Sequence, residues 1–180
     1  MLIQSKRTIA IRKKGFWLAN KNNYAVIGIG QFGSSVCETL AEAHQDILAI
    51  DKNEDVVNEY ANMVTRAVIA DAQDEEAMRE LDLGSFDNVY ISVGNIQASI
   101  MATLIVKELG AKNIICKAEN ENHARVLEKI GADYVVRPER DMARRMVFHQ
   151  LHLNIANYLI LNHELTLAEI EVKSPDFCEH

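Results

Sequence analysis

The feature that most constrains this chain is a repeated alternation. Six short apolar runs, "YAVIGI", "DILAID", "RAVIAD", "NVYISVG", "NIICKAE" and "DYVVRPE", are separated by "FGSSVCETLAEAH", "NEDVVNEYANM", "DEEAMRELDL", "NIQASIMATLIVKELG" and "NENHARVLEKIG", which carry helical spacing. The runs are β-branched and apolar throughout, as strands covered on both faces should be. Strict β–α alternation with short links gives an α/β, doubly wound six-stranded parallel sheet. Asn53 and Asp74 stand where helix N-caps belong, and Gly110 and Gly131 fall just past helix ends, where a left-handed cap wants glycine.

Beyond the sixth run the spacing predicts a long helix from Asp141 to about Leu161, with Met142, Met146, Leu151, Ile155, Tyr158 and Leu159 among its apolar positions. Such a helix is either a core element or a crossover arm on a partner chain, since large exposed apolar patches mark interfaces. The final "LTLAEIEVKSPDFCEH" alternates like a strand and reads as the truncated start of a further domain.

The first run ends in "GIGQFG": Gly28, Gly30 and Gly33 form G-x-G-x-x-G between a strand and a helix. In that context Gly30 lets backbone approach a phosphate, Gly33 permits close helix–strand contact, and the helix N-terminus offers N–H groups and a positive dipole end. Asp51 ends the second run, 18 residues after Gly33. A carboxylate there accepts ribose hydroxyls and repels a 2′-phosphate, which favours an adenosine ribose with a free 2′-OH over NADP. No G-K-[ST] follows the loop, so it is not a P-loop.

Ligands of such sheets sit beyond the carboxyl ends of the strands. The polar residues there are Asp51, Lys52 and Asn53; Asp71; Gly94 and Asn95; Lys117 and Glu119; and Glu139. Lys117 suits a phosphate, and Glu139 suits one only through a bridging divalent cation. His123, in the first turn of a helix, is placed to reach the same crevice. His149 and His152 have metal-binding spacing without an evident third ligand.

Charge and length then exclude several functions. Residues 1–23 hold six Lys or Arg and no acid, which leaves 13 cations against 26 acids elsewhere, a net of −13. So acidic a body repels nucleic acid. The basic leader, with Phe16, Trp17 and Leu18, fits an extension outside the fold or a contact with an anionic membrane surface. No run of about 18 apolar residues predicts a membrane span, and no signal-peptide pattern predicts secretion. Cys37, Cys116 and Cys178 form no zinc pattern, fit a reducing cytosol, and in the first two cases read as buried thiols. Only some 40 residues follow the sheet. That leaves no substrate layer for hydride transfer, and no Tyr-x-x-x-Lys, carboxylate pair or activated nucleophile appears. A nucleotide site without chemistry beside it reads as a sensor, whose ligand must bind two shapes differently.

Together "AVIGIGQFG", "LAIDKNEDVVNEYA", "VIADAQDEEAMREL", "GNIQASIMATLIVKELG" and "ICKAENENHARVLEKIGADYVVRPERDMA" resemble the Ktr/Trk potassium-uptake regulators over residues 24 to 172. The resemblance implies an RCK (KTN) protein: a Rossmann-like domain over 24–140 after a basic extension (1–23), a C-terminal crossover and dimerisation helix over 141–162, and the start of a small C-terminal domain over 163–180. It implies a homodimer, an octameric ring when full length, on the cytoplasmic face of a membrane K+ translocating subunit of the KtrB/TrkH type. It implies ATP and ADP as competing ligands, with NAD or NADH in TrkA-like relatives and Mg2+ or Ca2+ beside ATP. Asp51 to Asn53 would hold ribose, Asp71 and Ala72 would flank the base, and Lys117, Ala118, Glu119 and His123 would surround the phosphates. Glu139 would help hold the cation. Gln31 stands where many relatives carry an Arg that reaches a phosphate across the dimer, which leaves NAD open. The expected nucleotide-binding set is Gly28, Gly30, Gln31, Phe32, Gly33, Asp51, Lys52, Asn53, Asp71, Ala72, Val93, Gly94, Asn95, Lys117, Ala118, Glu119 and His123, with Glu139 for metal and no catalytic residue. The competing readings are a small NAD-dependent redox enzyme and an interaction module with a vestigial glycine loop.

Overall fold

The structure, a computed structural model, describes residues 22–151, 155–160 and 166–170. The basic leader up to residue 21, His152 and Cys178 lie outside the described residues. The chain divides into two compact units, the first ending at Val136 and the second beginning at Arg137.

In the first unit, strands β1 (Asn23–Ile27), β2 (Asp46–Asp51), β3 (Arg66–Ile69), β4 (Asn88–Ile91), β5 (Ile114–Lys117) and β6 (Tyr134–Val136) form one sheet in the order β3-β2-β1-β4-β5-β6. Every pairing is parallel. Helices α1 (Gln31–Glu42), α2 (Glu54–Tyr60), α3 (Glu75–Glu80), α4 (Ile96–Glu108) and α5 (Glu121–Ile130) make the crossovers, with a short 3-10 turn at Leu83–Ser85. This is the doubly wound, Rossmann-like sheet expected from the alternation.

The period-2 geometry of a strand sorts its side chains between two cores. On β1 and β2, Ala25, Ile27, Leu48 and Ile50 face a large cluster that also takes Met78, Ala102, Ile105, Val106 and Leu127 from α3, α4 and α5. Val26, Ile47 and Ala49 face the opposite way, onto a smaller cluster with Cys37 of α1. Each fully buried aliphatic contributes about 1.5–3 kcal/mol, so neither face can stay bare. Helices therefore cover both faces, and the winding reverses between β1 and β4. That reversal opens a crevice at the carboxyl ends of these two neighbours.

Four of the five helices start on a side-chain cap. Asn53, Asp74, Asn95 and Asn120 accept the N–H groups of Asp55, Ala77, Ala98 and His123. Helix α5 ends on Gly131 at φ 108°, as its position suggested.

The second unit begins with α6 (Pro138–Leu151), where proline sits in the first helical turn with Glu139 and Asp141. The helix was expected to run to about Leu161, and this is corrected: it ends at Leu151, and β7 (Ile155–Ile160) pairs antiparallel with β8 (Thr166–Ile170). Ile155, Tyr158 and Leu159 continue a helical spacing, but a short apolar run fits either period, and "IANYLI" is rich in strand-favouring residues. The antiparallel partner decides the matter. None of α6 is buried, and Met142, Met146, Val147 and Leu151 are each more than half exposed.

Candidate functional site

The crevice is a pocket of about 410 Å³. Its walls come from the ends of four strands and the loops that follow them. Ile27 ends β1 and Gly28 and Gly30 follow it, while Ile50 and Asp51 end β2 and Lys52 follows it. Ala70 to Gln73 follow β3, and Ser92 to Asn95 lead from β4 into Gln97 and Ala98 of α4.

The glycine loop forms because its three glycines meet three different demands. Gly28 takes φ 89°, in the left-handed region, and turns the chain out of β1. Gly33 lies on α1 where a Cβ would collide with the Gly28 carbonyl oxygen and press on Ser92 Oγ, so α1 can sit this close only without a side chain. Gly30 is different. It is exposed, its backbone is ordinary at φ −78°, and a Cβ built on it meets nothing within 4 Å. Neither backbone strain nor neighbouring protein calls for glycine there. The position borders open space at the start of α1, whose N-terminus has no side-chain cap and no acid in its first turn. The unpaired N–H groups and dipole end of that helix suit an anion.

Asp51 ties the loop to the second strand. Its Oδ2 accepts the Ile29 N–H at 2.7 Å and its Oδ1 accepts the Asn53 N–H at 2.9 Å. Each carboxylate oxygen retains a further lone pair for a hydroxyl. Asp71, at the third strand's end, accepts the Gln73 N–H at 2.9 Å and shapes the turn that forms the far wall. Asn95 caps α4 through Ala98 N–H at 2.9 Å while lining the pocket. Charged groups on the wall are thus two carboxylates, Asp51 and Asp71, and the ammonium of Lys52.

Of the expected residues, the pocket brings together Gly28, Gly30, Asp51, Lys52, Asp71, Ala72, Val93, Gly94 and Asn95. Gln31, Phe32 and Gly33 form the first turn of α1 beside it, and Asn53 caps α2. Lys117 ends β5, one strand further out, with Ala118 and Glu119 after it, and none of the three lines the pocket. There Lys117 Nζ pairs with Glu119 at 3.0 Å. His123 is 3 % exposed; its Nδ1 accepts the Glu119 N–H at 3.2 Å, and burial pushes its pKa down. Glu139 belongs to the second unit. Among the described residues no three His, Cys, Asp or Glu groups gather as metal ligands. Cys37 and Cys116 are buried, and burial raises both thiols to about 11, so neither is a nucleophile at neutral pH.

The pocket also uses residues that the sequence did not single out. Gln73, Gln97 and Ser92 line it. The strand-end rule reached Gly94 and Asn95, and the expected binding set went back to Val93, one residue short of Ser92.

The family model of the TrkA-N domain matches residues 24–138. The chain is 48 % identical to the Ktr system potassium uptake protein C of Bacillus subtilis over 155 residues, 86 % of this chain and 70 % of that one. It is 43 % identical to the Ktr system potassium uptake protein A of Vibrio alginolyticus over 152 residues, 84 % and 69 % of the two chains. Among solved structures, the TrkA-N domain of the inner membrane protein ybaL from Escherichia coli superposes with TM-score 0.64 at 24 % identity, covering 72 % of this chain and 96 % of that one. The GsuK channel bound to NAD superposes with TM-score 0.62 at 14 % identity, covering 81 % and 26 %. Among the described residues no helix is long and apolar enough to cross a membrane.

Proposed function

The chain belongs to the TrkA-N domain family, and on that premise we propose that it is a regulatory subunit of a potassium uptake system. It binds an adenine nucleotide, ATP or ADP, in the crevice beyond β1 and β4, and so gates a membrane partner that translocates K+. The observation that carries this reading is the open cradle at Gly30. It lies beside an uncapped α1 N-terminus and within one pocket with Asp51. A phosphate fits the first two features and a ribose the third.

On this reading the unit ending at Val136 is the nucleotide-binding domain, and β7 and β8 begin the small C-terminal domain. Helix α6, which buries none of its residues, is the dimerisation helix of a homodimer, and full-length chains build an octameric ring. The subunit acts on the cytoplasmic face through its partner and is not an enzyme. Asp51, Lys52 and Asn53 hold the ribose, Asp71 and Ala72 flank the base, and Gln31, Phe32, Val93, Gly94 and Asn95 complete the wall. Lys117, Ala118, Glu119 and His123 act on the phosphate end from the next strand. Glu139 holds a divalent cation only together with oxygens supplied by the nucleotide or another chain.

A second reading, NAD or NADH as the ligand, is favoured by Gln31, which brings no charge to a terminal phosphate. Isothermal titration with ATP, ADP, NAD and NADH, with and without Mg2+, separates the two. Tight ATP and ADP binding supports the nucleotide-gated subunit, and a strong NAD or NADH preference supports the second reading. No binding by any of the four rejects both.

A further inference from the structure

Ser92 sits at the carboxyl end of β4, 7 % exposed, where its N–H donates to the Ile27 carbonyl at 2.8 Å and extends the pairing with β1 by one residue. Its hydroxyl lies 2.5 Å from the Gly28 carbonyl oxygen and 3.3 Å from that of Ile27. A hydroxyl has one proton, and the shorter contact takes it. Gly28 is also where the chain leaves the strand at φ 89°. Its carbonyl is thereby turned onto Gly33, whose missing Cβ leaves just enough room for Gly28 oxygen and Ser92 Oγ. Among the described residues, Ser92 is the one donor to that carbonyl.

From this we propose that Ser92 is a positioning residue for the phosphate end of the bound nucleotide, which rests on the nucleotide reading above. The hydroxyl holds the Gly28–Ile29 peptide, and this peptide sets where Gly30 and the first N–H groups of α1 stand. The opposite side of the same peptide is held by Asp51 through the Ile29 N–H. The loop is therefore clamped from β4 and β2 at once. Without the hydroxyl, a carbonyl enclosed between β4 and α1 has no partner, and the peptide tilts to find one. The displacement falls on Gly30 and the phosphate cradle. The ribose and base side moves less: Asp51 touches the displaced peptide through the Ile29 N–H but keeps its bond from the Asn53 N–H, and Asp71 to Gln73 stand at the end of another strand.

The test compares the unaltered chain with Ser92→Ala and Ser92→Cys by titration with adenosine, AMP and ADP. Loss of one enclosed hydrogen bond corresponds to about a tenfold weaker ADP binding in Ser92→Ala. Adenosine affinity stays within about twofold, because no phosphate is involved, and Ser92→Cys, whose thiol is a weak donor of similar shape, falls between. A serine with a merely structural role would change folding temperature while leaving the ADP-to-adenosine ratio of the folded protein alone, and that result overturns the inference. If Ser92→Ala does not fold, the same ratio is read on Ser92→Cys, and an unchanged ratio there overturns it. Silence of the unaltered chain toward ADP rejects the nucleotide reading and this inference with it. Unchanged ADP binding by the variants beside a binding parent rejects this inference alone.

Discussion

The Oδ2 atom of Asp51 accepts the backbone N–H of Ile29 at 2.7 Å, so the carboxylate at the end of β2 is wired into the middle of the glycine loop. Its other oxygen accepts the Asn53 N–H at 2.9 Å. A residue suited to ribose is therefore first a clamp between the loop and the start of α2. Asp51→Ala removes two hydrogen bonds to a charged acceptor and should cost about 2 kcal/mol of stability in urea titration. Nucleotide affinity should fall by at least about 1 kcal/mol, roughly fivefold or more, measured well below the unfolding midpoint. Unchanged affinity in a folded variant would remove Asp51 from the ribose site while leaving its clamp intact.

Two glycines three residues apart, Gly30 and Gly33, should respond in opposite ways to the same added methyl group. Gly33→Ala puts a Cβ into the Gly28 carbonyl oxygen, which is backbone and cannot rotate aside. It should destabilise by about 1–3 kcal/mol or more, as overpacked sites do. Gly30→Ala meets no protein atom within 4 Å and keeps an ordinary φ. It should fold with a melting temperature near that of the parent and lose nucleotide binding, because the methyl occupies the phosphate cradle. A Gly30→Ala chain that binds ATP, ADP, NAD and NADH as well as the parent would empty the cradle of meaning.

The contrast between these positions explains what could be read from the sequence. Six strands were legible because "DILAID" or "NVYISVG" is apolar on both faces, a pattern produced by cover on both sides of a sheet. The pocket wall at Asp51, Asp71 and Asn95 was legible because polar residues at strand ends follow from topology alone. Ser92 was not: its role depends on a peptide 64 residues earlier that leaves its strand at positive φ, and no spacing rule connects them. Nor was β7, because Ile155 and Leu159 satisfy a helical period until a partner strand selects the other one. Lys117 was expected to face phosphate, and its ion pair with Glu119 became visible only in three dimensions.

Helix α4 gives a cleaner test of local energetics. Asn95 caps it by accepting the Ala98 N–H at 2.9 Å. The helix buries Ala98, Ser99, Ala102, Thr103, Ile105 and Val106, so fraying its first turn disturbs the larger core. Asn95→Ala should lower stability by about 1 kcal/mol, and Asn95→Asp, which keeps a capping oxygen, should restore most of it. Equal stability of the alanine and aspartate variants in urea would contradict the cap.

His123 makes the chain's stability depend on acidity. The ring is 3 % exposed, Nδ1 accepts the Glu119 N–H at 3.2 Å, and Nε2 has no partner among the described residues. An Nδ1 that accepts a hydrogen bond carries no proton, so the ring is neutral with its proton on Nε2. Burial pushes its pKa below the ordinary histidine value, and the nearby Glu119 carboxylate opposes this more weakly. The unfolded chain therefore binds a proton more readily than the folded one, and stability rises with pH across that interval. The contribution is fully present above about pH 6.5, the ordinary histidine pKa, and is lost as pH falls through the lower, folded value. Protonation at Nδ1 would also set one N–H against another and open the turn between β5 and α5. His123→Gln keeps an acceptor for the Glu119 N–H and cannot titrate. The stability difference between the parent and this variant should be flat from pH 7 to 8. It should then shift against the parent below pH 6.5, with a slope of at most about 1.4 kcal/mol per pH unit. Groups shared by the two chains cancel in that difference, so a flat line down to pH 5 would show that the buried imidazole does not titrate with folding.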